Sequence, residues 1–319
     1  MRIFTGLETV TKYSHCTTVA IGSFDGVHLG HKALIRRAAV DAQRNGRPLV
    51  VFTFDRHPAE LLRPDVAPER ITTAAQRAEL IGSLGADDLV IARFDPALAE
   101  MDRELFLQSV LKNTLFASAI VEGKDFCFGH DRAGDLEYLR SQQKRLAYVV
   151  EALDPVEVDS VPVSSSRIRE RIASGDIAGA EKLLGHPYLF KGTVIRGQQL
   201  GRQLGYPTAN LSRHERQIVP ADGVYAVLVR CHDGRVVQGA CSIGWRPTVE
   251  GAGRSIEIYL LDFNEDLYGQ DLEVRFKYRL REELKFASLE ELKVQIEADV
   301  LLTRQVLSSQ SIWESISTF

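Results

Sequence analysis

The chain has 319 residues, of which 45% are hydrophobic and 26% charged, a composition that excludes a disordered, collagen-like or coiled-coil protein. Its 39 basic and 43 acidic residues give a net charge of −4, so the overall charge gives no reason to expect a nucleic acid or an anionic membrane as partner. A chain of this length is typical of about two domains.

The cysteines and the N-terminus indicate a soluble cytoplasmic protein. Cys16, Cys127, Cys231 and Cys241 form no C-x-x-C pair, which is typical of reduced thiols and not of disulfides or a zinc site. Residues 1–13 contain no apolar core of signal-peptide length. No run of about 18 apolar residues occurs, so we expect no membrane-spanning segment.

The first half of the chain alternates short apolar runs with segments of helical spacing. The predicted strands are Thr18–Ile21, Leu49–Phe54, Leu89–Ala92, Ala119–Val121 and Ala147–Val150. The predicted helices are His28–Asn45, Thr73–Leu84 and Arg103–Leu115. Buried strands separated by helices indicate a doubly wound α/β domain with a parallel sheet, whose ligand crevice lies at the carboxyl ends of the strands.

From about Gly185 the sequence is rich in glycine and then alternates with period 2. The predicted antiparallel strands are Gly223–Arg230, Val236–Ser242, Ser255–Asp262 and Leu272–Leu280, with a turn at His232–Gly234. This pattern favours a small barrel or sandwich. An amphipathic helix from Leu289 to about Leu307 follows. The predicted domains are residues 1–184 and 185–319.

The segment Gly22–His31 lies between the first predicted strand and the first helix. Gly22, Gly26 and Gly30 allow a ligand to approach the backbone, and a helix N-terminus attracts anions. His28 and His31 are three residues apart and share a helix face, where both can donate hydrogen bonds to phosphate oxygens. The alternative is a plain turn with incidental histidines.

A second candidate for phosphate binding begins at Val163. Ser164 and Ser165 can cap a helix while offering hydroxyls, and Arg169 supplies a bidentate fork. A plain N-cap with solvated arginines is the alternative. Together, the H-x-G-H and Ser/Arg motifs resemble the nucleotidyltransferase superfamily, in which a phosphate-bearing substrate attacks the α-phosphate of ATP and pyrophosphate leaves.

Aromatic residues follow two of the predicted strands. Phe54 closes one strand, and Phe126 and Phe128 come shortly after another. A flat heterocycle could stack on them, with Asp125 bonded to its edge. Packing of the phenylalanines in the core is the alternative.

The second half carries a further glycine-rich motif. Gly192 and Gly197 keep the backbone open for phosphates, and Thr208 and Asn210 point the same way from an extended segment, where they could hold Mg²⁺ and nucleotide phosphates. No P-loop motif occurs. A glycine-rich hairpin without a ligand remains the alternative.

From Ile21 to about Asp299 the sequence resembles the bacterial bifunctional riboflavin kinase/FAD synthetase family. The motifs that carry the resemblance are G-x-F-D-G-x-H-x-G-H, V-S-S-S-R-I-R and G-R-Q-L-G-Y-P-T-A-N-L, followed by Ser242–Gly244, Ile256–Phe263, Asp266–Gly269 and Arg281–Phe286. The resemblance implies FMN adenylylation in residues 1–184 and riboflavin phosphorylation in residues 185–319. The sequence departs from the family pattern at four positions, and these departures bear on the affinity for substrates more than on activity. They are Ser23, Tyr206, Trp245 and Tyr259.

The resemblance also implies roles for individual residues. Glu257 would be the general base of the kinase, and Thr208 and Asn210 would hold Mg²⁺. Catalysis of adenylylation would fall to His28 and His31. The implied contacts of ATP are Gly22, Phe24, Gly26, Gly30, Ser164, Ser165, Arg169, Gly192, Gly197 and Asn210. The implied contacts of the flavin are Phe54, Asp125, Phe126 and Phe128.

Two other functions remain open at this stage. The first domain could adenylylate another phosphate-bearing acceptor, with the barrel as a binding domain, or the chain could be a flavin sensor with inactive sites. Alternation places Glu257 on the strand face opposite Ile256 and Ile258, and without the family resemblance an exposed carboxylate would be the expected role. We expect riboflavin, FMN and ATP as partners, and neither nucleic acid nor membrane.

Overall fold

The computed structural model describes residues 1–308 except 12, 14, 198, 215, 249 and 250. The chain forms two compact units. The first consists of Met1–Pro68 and Ala74–Ser164, and the second of Glu69–Thr73 and the chain from Ser165 onward. Residues 309–319, at the end of the second predicted domain, lie outside the described residues.

The first unit is built on a parallel sheet. Its strands are β1 (Arg2–Thr5), β2 (Thr17–Ile21), β3 (Leu49–Phe54), β4 (Asp88–Ala92), β5 (Ala117–Gly123), β6 (Cys127–Phe128), β7 (Gly134–Asp135), β8 (Val149–Leu153), β9 (Glu157–Val158) and β10 (Val161–Pro162). Six of them form the main sheet in the order β1-β4-β3-β2-β5-β8, with every neighbouring pair parallel. The order reverses between β2 and β5, and ligands of such sheets bind at this switch point.

Helices cover both faces of this sheet. They are α1 (Leu29–Arg44), α2 (Pro58–Leu62), α3 (Ala74–Gly82), α4 (Pro96–Ala99), α5 (Arg103–Leu105) and α6 (Leu136–Leu146). A π-helical stretch, Phe106–Thr114, continues α5, and short 3-10 turns span Leu7–Thr9, Pro64–Val66 and His130–Arg132.

The apolar runs form strands because both faces of the sheet are buried. Val50 and Phe52 of β3 join one core cluster with the π-helical stretch and α6. Leu49 and Val51 join another cluster, with α1 and α3. Alternate side chains of one strand therefore enter two separate cores, which explains the continuous hydrophobic sequence.

The second unit is a closed antiparallel barrel with flanking helices. Its helices are α7 (Ser165–Ser174), α8 (Ile177–Leu184), α9 (Leu200–Gln203) and α10 (Leu289–Leu307). Its strands are β11 (Leu189–Ile195), β12 (Ala209–Leu211), β13 (Gly223–Arg230), β14 (Val236–Thr248), β15 (Gly251–Leu260) and β16 (Asp271–Arg281). They close in the order β11-β12-β15-β14-β13-β16.

The buried Gln217 side chain binds two backbone segments of this unit, the one around Ile71 and the start of β11. Its side-chain nitrogen donates to the carbonyls of Ile71 (3.0 Å) and Leu189 (2.7 Å), and its oxygen accepts from the amide of Lys191 (3.0 Å). The bond to Ile71 ties the segment Glu69–Thr73 to the second unit, to which this early part of the chain belongs.

The predicted fold class, a doubly wound α/β domain followed by a small antiparallel barrel and a C-terminal helix, is confirmed. The sequence reading missed the edge strand β1 and the strand character of β11, and it started β8 two residues early. Within the described residues, no helix is both long and apolar enough to cross a membrane.

Candidate active sites

The first candidate site lies at the switch point of the parallel sheet. The end of β2 is held from both sides. The amide of Gly22 donates to the carbonyl of Phe52 on β3 (3.0 Å), and the amide of Ile21 donates to Glu122 Oε1 on β5 (2.5 Å). The Gly22–His31 segment therefore starts from a fixed point at the carboxyl ends of the strands.

The loop after β2 has an unusual backbone. Phe24 and Val27 adopt φ values of 47° and 38°, and Gly26 a φ of 82°. For a bulky or β-branched residue such a conformation costs about 1–3 kcal/mol, so the surroundings must hold it. The carbonyl of Ser23 accepts from Arg77 Nη1 (2.9 Å) and Thr53 Oγ1 (3.1 Å).

The two histidines lie where this loop becomes α1. His28 caps the helix, its Nδ1 accepting from the amide of His31 (3.3 Å), and the two rings stack with centroids 3.5 Å apart. Burial, assisted by the neighbouring His28 and Arg77, lowers the pKa of His31 well below its usual value. His31 is therefore neutral at physiological pH and donates through one ring nitrogen only.

Among the described residues, the buried Nδ1 of His31 has no hydrogen-bond partner. Buried polar atoms in proteins are nearly always bonded, so an unbonded ring nitrogen at the switch point is consistent with a ligand group as partner.

The predicted ATP contacts of this loop are closely packed around the two histidines. A Cβ on Gly30 would lie 3.1 Å from the His28 ring, and one on Gly22 would lie 3.2 Å from the Phe24 ring, so both positions are tight for any larger residue. Phe24 is buried, and its ring meets His31 edge-on at 5.2 Å. The Phe24 side chain thus packs against the His31 ring, and Gly26 supplies the positive φ that the turn requires.

The predicted flavin contacts gather on one face of the sheet. Phe126 and Phe128 stack at 5.6 Å, and Phe54 packs against the same core cluster. Phe128 is buried, whereas Phe54 and Phe126 are partly exposed. Asp125 is exposed and lies two residues after the end of β5. The structure thus brings the three phenylalanines to one core cluster, in which Phe128 is buried, and Asp125 precedes Phe126 in the chain.

The Ser/Arg motif is divided between the units. Ser164 ends the first unit, whereas Ser165, at the start of α7, and Arg169 belong to the second. The guanidinium of Arg169 donates through Nε to the carbonyl of Glu69 (2.6 Å). The structure therefore does not unite Ser165 and Arg169 with His28 and His31 in a single unit.

The second candidate site is a cavity of about 250 Å³ between the barrel wall and α10. Its polar lining includes Thr208, Ser242 and Glu257, and its apolar lining includes Leu204 and Phe286. A few convergent polar groups in a mainly apolar pocket are typical of small-molecule sites.

Glu257 is buried in this cavity. Ile256 and Ile258 fill the barrel interior, so the alternation of β15 turns Glu257 outward, beneath α10. Its Oε2 accepts from Thr208 Oγ1 at 3.2 Å. On β12, Asn210 is directly opposite Glu257 in the strand register.

The two predicted glycines of this unit lie in close contact with their surroundings. A Cβ on Gly197 would lie 2.5 Å from the Asn210 side chain, and one on Gly192 would lie 2.3 Å from the carbonyl of Ser212. A larger residue at Gly192 would clash with the backbone, whereas one at Gly197 would displace the Asn210 side chain.

Helix α10 is fastened to the barrel across the cavity. Asp299 accepts from Arg281 Nε (2.9 Å) and Nη2 (2.7 Å), and both side chains are largely buried. Tyr206 and Tyr259, which also line the cavity, meet edge-on at 5.2 Å. The sequence reading identified none of the residues of α10, nor Arg281, as part of a site, because an amphipathic helix alone does not show which pocket it covers.

The comparisons with known proteins match both parts of the chain. The family model described as FAD synthetase matches residues 10–167, and the model described as riboflavin kinase matches residues 184–307. Two proteins named bifunctional riboflavin kinase/FMN adenylyltransferase are similar over nearly their full length. The Haemophilus influenzae protein is 37% identical over 97% of this chain and 100% of its own, and the Pseudomonas fluorescens protein 40% identical over 95% and 97%.

The chain belongs to the bifunctional riboflavin kinase/FMN adenylyltransferase family. Its FAD synthetase region precedes its riboflavin kinase region. A solved structure named a macrolide-efflux protein from Streptococcus pneumoniae has the same fold, with a TM-score of 0.85 and 32% identity over 95% of this chain and 99% of that one. As a member of this bifunctional family, the protein is a transferase with riboflavin kinase and FMN adenylyltransferase activities, and ATP is its co-substrate.

Proposed function

We propose that this riboflavin kinase/FMN adenylyltransferase carries out its two reactions at the two sites described above. In the cavity beneath α10, the 5′-hydroxyl of riboflavin attacks the γ-phosphate of ATP, which gives FMN and ADP. At the switch point, the phosphate of FMN attacks the α-phosphate of a second ATP, which gives FAD and pyrophosphate. The observation that carries the kinase assignment is the buried Glu257, bonded to Thr208 inside the cavity.

Glu257 is suited to act as general base in the first reaction. A carboxylate must lie within hydrogen-bond reach of the hydroxyl whose proton it takes. One oxygen of Glu257 is held by Thr208, which fixes the carboxylate toward the cavity. The flavin ring would then rest on the apolar lining, including Leu204 and Phe286.

The residues around Glu257 also fit a magnesium ion. Mg²⁺ prefers oxygen ligands and takes only one or two from the protein, completing its shell with water and phosphate oxygens. Thr208 donates its proton to Glu257 and keeps its lone pairs, and Asn210 offers a carboxamide oxygen opposite. When bound with ATP, the ion would offset charge on the phosphates.

The histidines would serve the adenylylation. Charge develops on the α-phosphate and on the leaving pyrophosphate, and fixed donors stabilise that charge. Neutral His31 has a ring nitrogen without a protein partner among the described residues, and His28 is stacked against it. The loop glycines Gly22, Gly26 and Gly30 would admit the phosphates, with Ser164 of the same unit as a further contact. Ser165 and Arg169 belong to the second unit, and their contact with ATP stays a prediction from the resemblance.

Each reaction is assigned to one part of the chain, and each substrate to a set of contact residues. Residues 1–184 would act as the adenylyltransferase and residues 185–319 as the kinase. Phe54, Asp125, Phe126 and Phe128 would contact FMN, and Gly192, Gly197 and Asn210 the ATP of the kinase. The four free cysteines favour the reducing cytoplasm as its location, with riboflavin, FMN and ATP as partners and no nucleic acid.

The decisive experiment is a product analysis over time with riboflavin, ATP and Mg²⁺, resolving FMN from FAD by chromatography. We expect FMN to appear first and FAD to follow. FAD from supplied FMN, without any FMN from riboflavin, would exclude the kinase assignment and leave the barrel as a binding domain. Binding of flavin with neither product would indicate a sensor.

A further inference from the structure

Glu122 is a buried carboxyl group that the two reactions leave without a role. Its residue is 1% exposed and lies one position before the end of β5. Burial raises the pKa of this carboxyl well above its usual value, and the nearby charge of Asp125 adds to the effect. A buried carboxyl is costly in a fold, so its presence at the switch point calls for a reason.

The contact of Glu122 lies at the strand end from which the catalytic loop starts. The pairing of β2 with β5 ends at Ala20–Val121, whereas β2 and β3 stay paired through Ile21–Phe52. The next amide on the β5 side, that of Ile21, donates to Glu122 Oε1 (2.5 Å). The side chain therefore extends the ladder by one bond beyond the point where β5 diverges.

That bond is one of a few that hold the loop in its unusual conformation. Ser23 is held at its carbonyl by Arg77 and Thr53, and Gly22 at its amide by Phe52. Phe24 and Val27, with positive φ, follow directly. A loop of this kind keeps its shape only while its ends are fixed.

We propose that Glu122 is a positioning residue for FMN adenylylation: by fixing the amide of Ile21, it sets the start of the loop that places His28 and His31. It touches neither substrate and acts through the backbone of β2. The inference rests on the proposed role of the two histidines. Because a displacement of about 1 Å can reduce a rate about 100-fold, one lost bond at this point is expected to affect catalysis.

The test uses the full-length enzyme and two substitutions of nearly the same size. Glu122→Met removes the acceptor, and Glu122→Gln keeps an oxygen that can accept from Ile21. We expect Glu122→Met to lower kcat for FAD formation from FMN about 10- to 100-fold, with KM for FMN within about threefold. Glu122→Gln should stay within about threefold of the wild type in kcat.

Two controls separate positioning from general stability. Asp87, an exposed residue, accepts from the amide of Leu49 through Oδ2 (2.8 Å), a bond of the same kind at the amino ends of the strands, where β3 begins. Asp87→Ala should therefore leave kcat for FAD formation within about twofold. Riboflavin phosphorylation by the same Glu122→Met protein should also be unchanged, and thermal melting is recorded for every variant.

Several results would overturn the inference. Normal FAD formation by Glu122→Met would do so, as would equal losses in Glu122→Met and Asp87→Ala, or a parallel loss of kinase activity. A Glu122→Gln variant as slow as Glu122→Met would show that the acceptor is not what matters. The proposed role of the histidines is tested separately, because its failure would show as normal FAD formation in histidine variants of the otherwise unchanged enzyme.

Discussion

Glu257 differs from the other carboxylates of its cavity in its partner. Asp299 is paired with Arg281, and Glu283 is exposed, whereas Glu257 is buried and its Oε2 accepts from the hydroxyl of Thr208. Glu257→Gln should therefore lower kcat for FMN formation roughly 10²- to 10⁴-fold, the usual contribution of a general base. Adenylylation of supplied FMN should persist.

The matched control for this variant is Glu283→Gln, which removes a carboxylate from the same cavity. Its kcat for FMN formation should remain within about threefold of the wild type. Equal losses in the two variants, measured as initial rates at saturating riboflavin and ATP, would contradict the assignment of the base.

The histidine pair allows helix capping and catalysis to be separated. Asparagine is a favourable N-cap, so His28→Asn should preserve the start of α1 while removing a donor to phosphate. FAD formation should fall about 10²- to 10³-fold, and FMN should accumulate from riboflavin, because Glu257 is untouched. His31→Gln should give a comparable loss. Unchanged FAD formation with a normal melting temperature would contradict the role of the pair.

Glu122 should also make stability depend on pH. Its folded-state pKa is raised, so between the unfolded value near 4.5 and the folded value the native state binds more protons than the unfolded state. The free energy of unfolding must therefore fall as the pH rises through that window. Melting temperatures between about pH 5 and 8 should decline more in the wild type than in Glu122→Gln. Parallel curves would show that Glu122 does not titrate there.

Sequence reasoning finds residues whose type and spacing reveal their chemistry, and it misses those that act through burial. His28, His31, Thr208 and Glu257 stand in motifs, and the structure places each pair together. Glu122 reads as one polar residue at the end of an apolar run. Its importance depends on β2 and β5 being neighbours, and strand order cannot be inferred from a local pattern.

At the level of elements, α10 both completes the barrel and covers the kinase cavity. Its buried contacts include the Asp299–Arg281 pair, whose side chains are 8% and 19% exposed. Removing one partner of a buried pair costs about 3–5 kcal/mol, because the other charge is left unpaired. Asp299→Ala should therefore loosen α10 and raise KM for riboflavin at least about tenfold.

The helix provides its own control in the exposed Arg304–Asp262 pair. Exposed pairs contribute about 0–1 kcal/mol, so Arg304→Ala should change KM for riboflavin less than about twofold. Isothermal titration with riboflavin gives the same comparison without turnover. Equal effects of the two variants would mean that α10 is held by its apolar contacts alone.

The predicted strands agree best with the structure where both faces are buried. Of the two edge strands of the main sheet, β1 was missed and β8 was placed two residues early. Strands β2 to β5 are buried on both faces and produce unbroken apolar runs. The edge strand β1 has three exposed residues of four, so its sequence carries no such signal. The spacing of apolar residues predicts an ordinary α-helix for the π-helical stretch Phe106–Thr114. This spacing does not distinguish the wider turns of a π-helix from those of an α-helix.

For the whole molecule, the second unit raises the question of what the kinase needs in order to fold. In this unit α8 contributes buried Ile177, Ala180 and Leu184, and its Glu181 faces Arg275 of β16. Both α7 and α8 precede residue 185, at which the glycine-rich sequence begins. A fragment of residues 185–319 lacks both helices and would expose the barrel surface around Arg275 on which α8 packs.

We therefore expect fragments 165–319 and 185–319 to differ in stability more than in chemistry. Both retain Glu257, Thr208 and α10, so both should form FMN. Burying a large apolar side chain contributes about 1.5–3 kcal/mol, so the longer fragment should melt at a clearly higher temperature. Both lack Ile71, an acceptor of the buried Gln217, and should melt below the kinase unit of the full-length chain.

Near-UV circular dichroism during heating gives the comparison. Identical melting of the two fragments would show that α7 and α8 are dispensable for the barrel, and a flat spectrum of the longer one would show that the kinase cannot fold without the first unit.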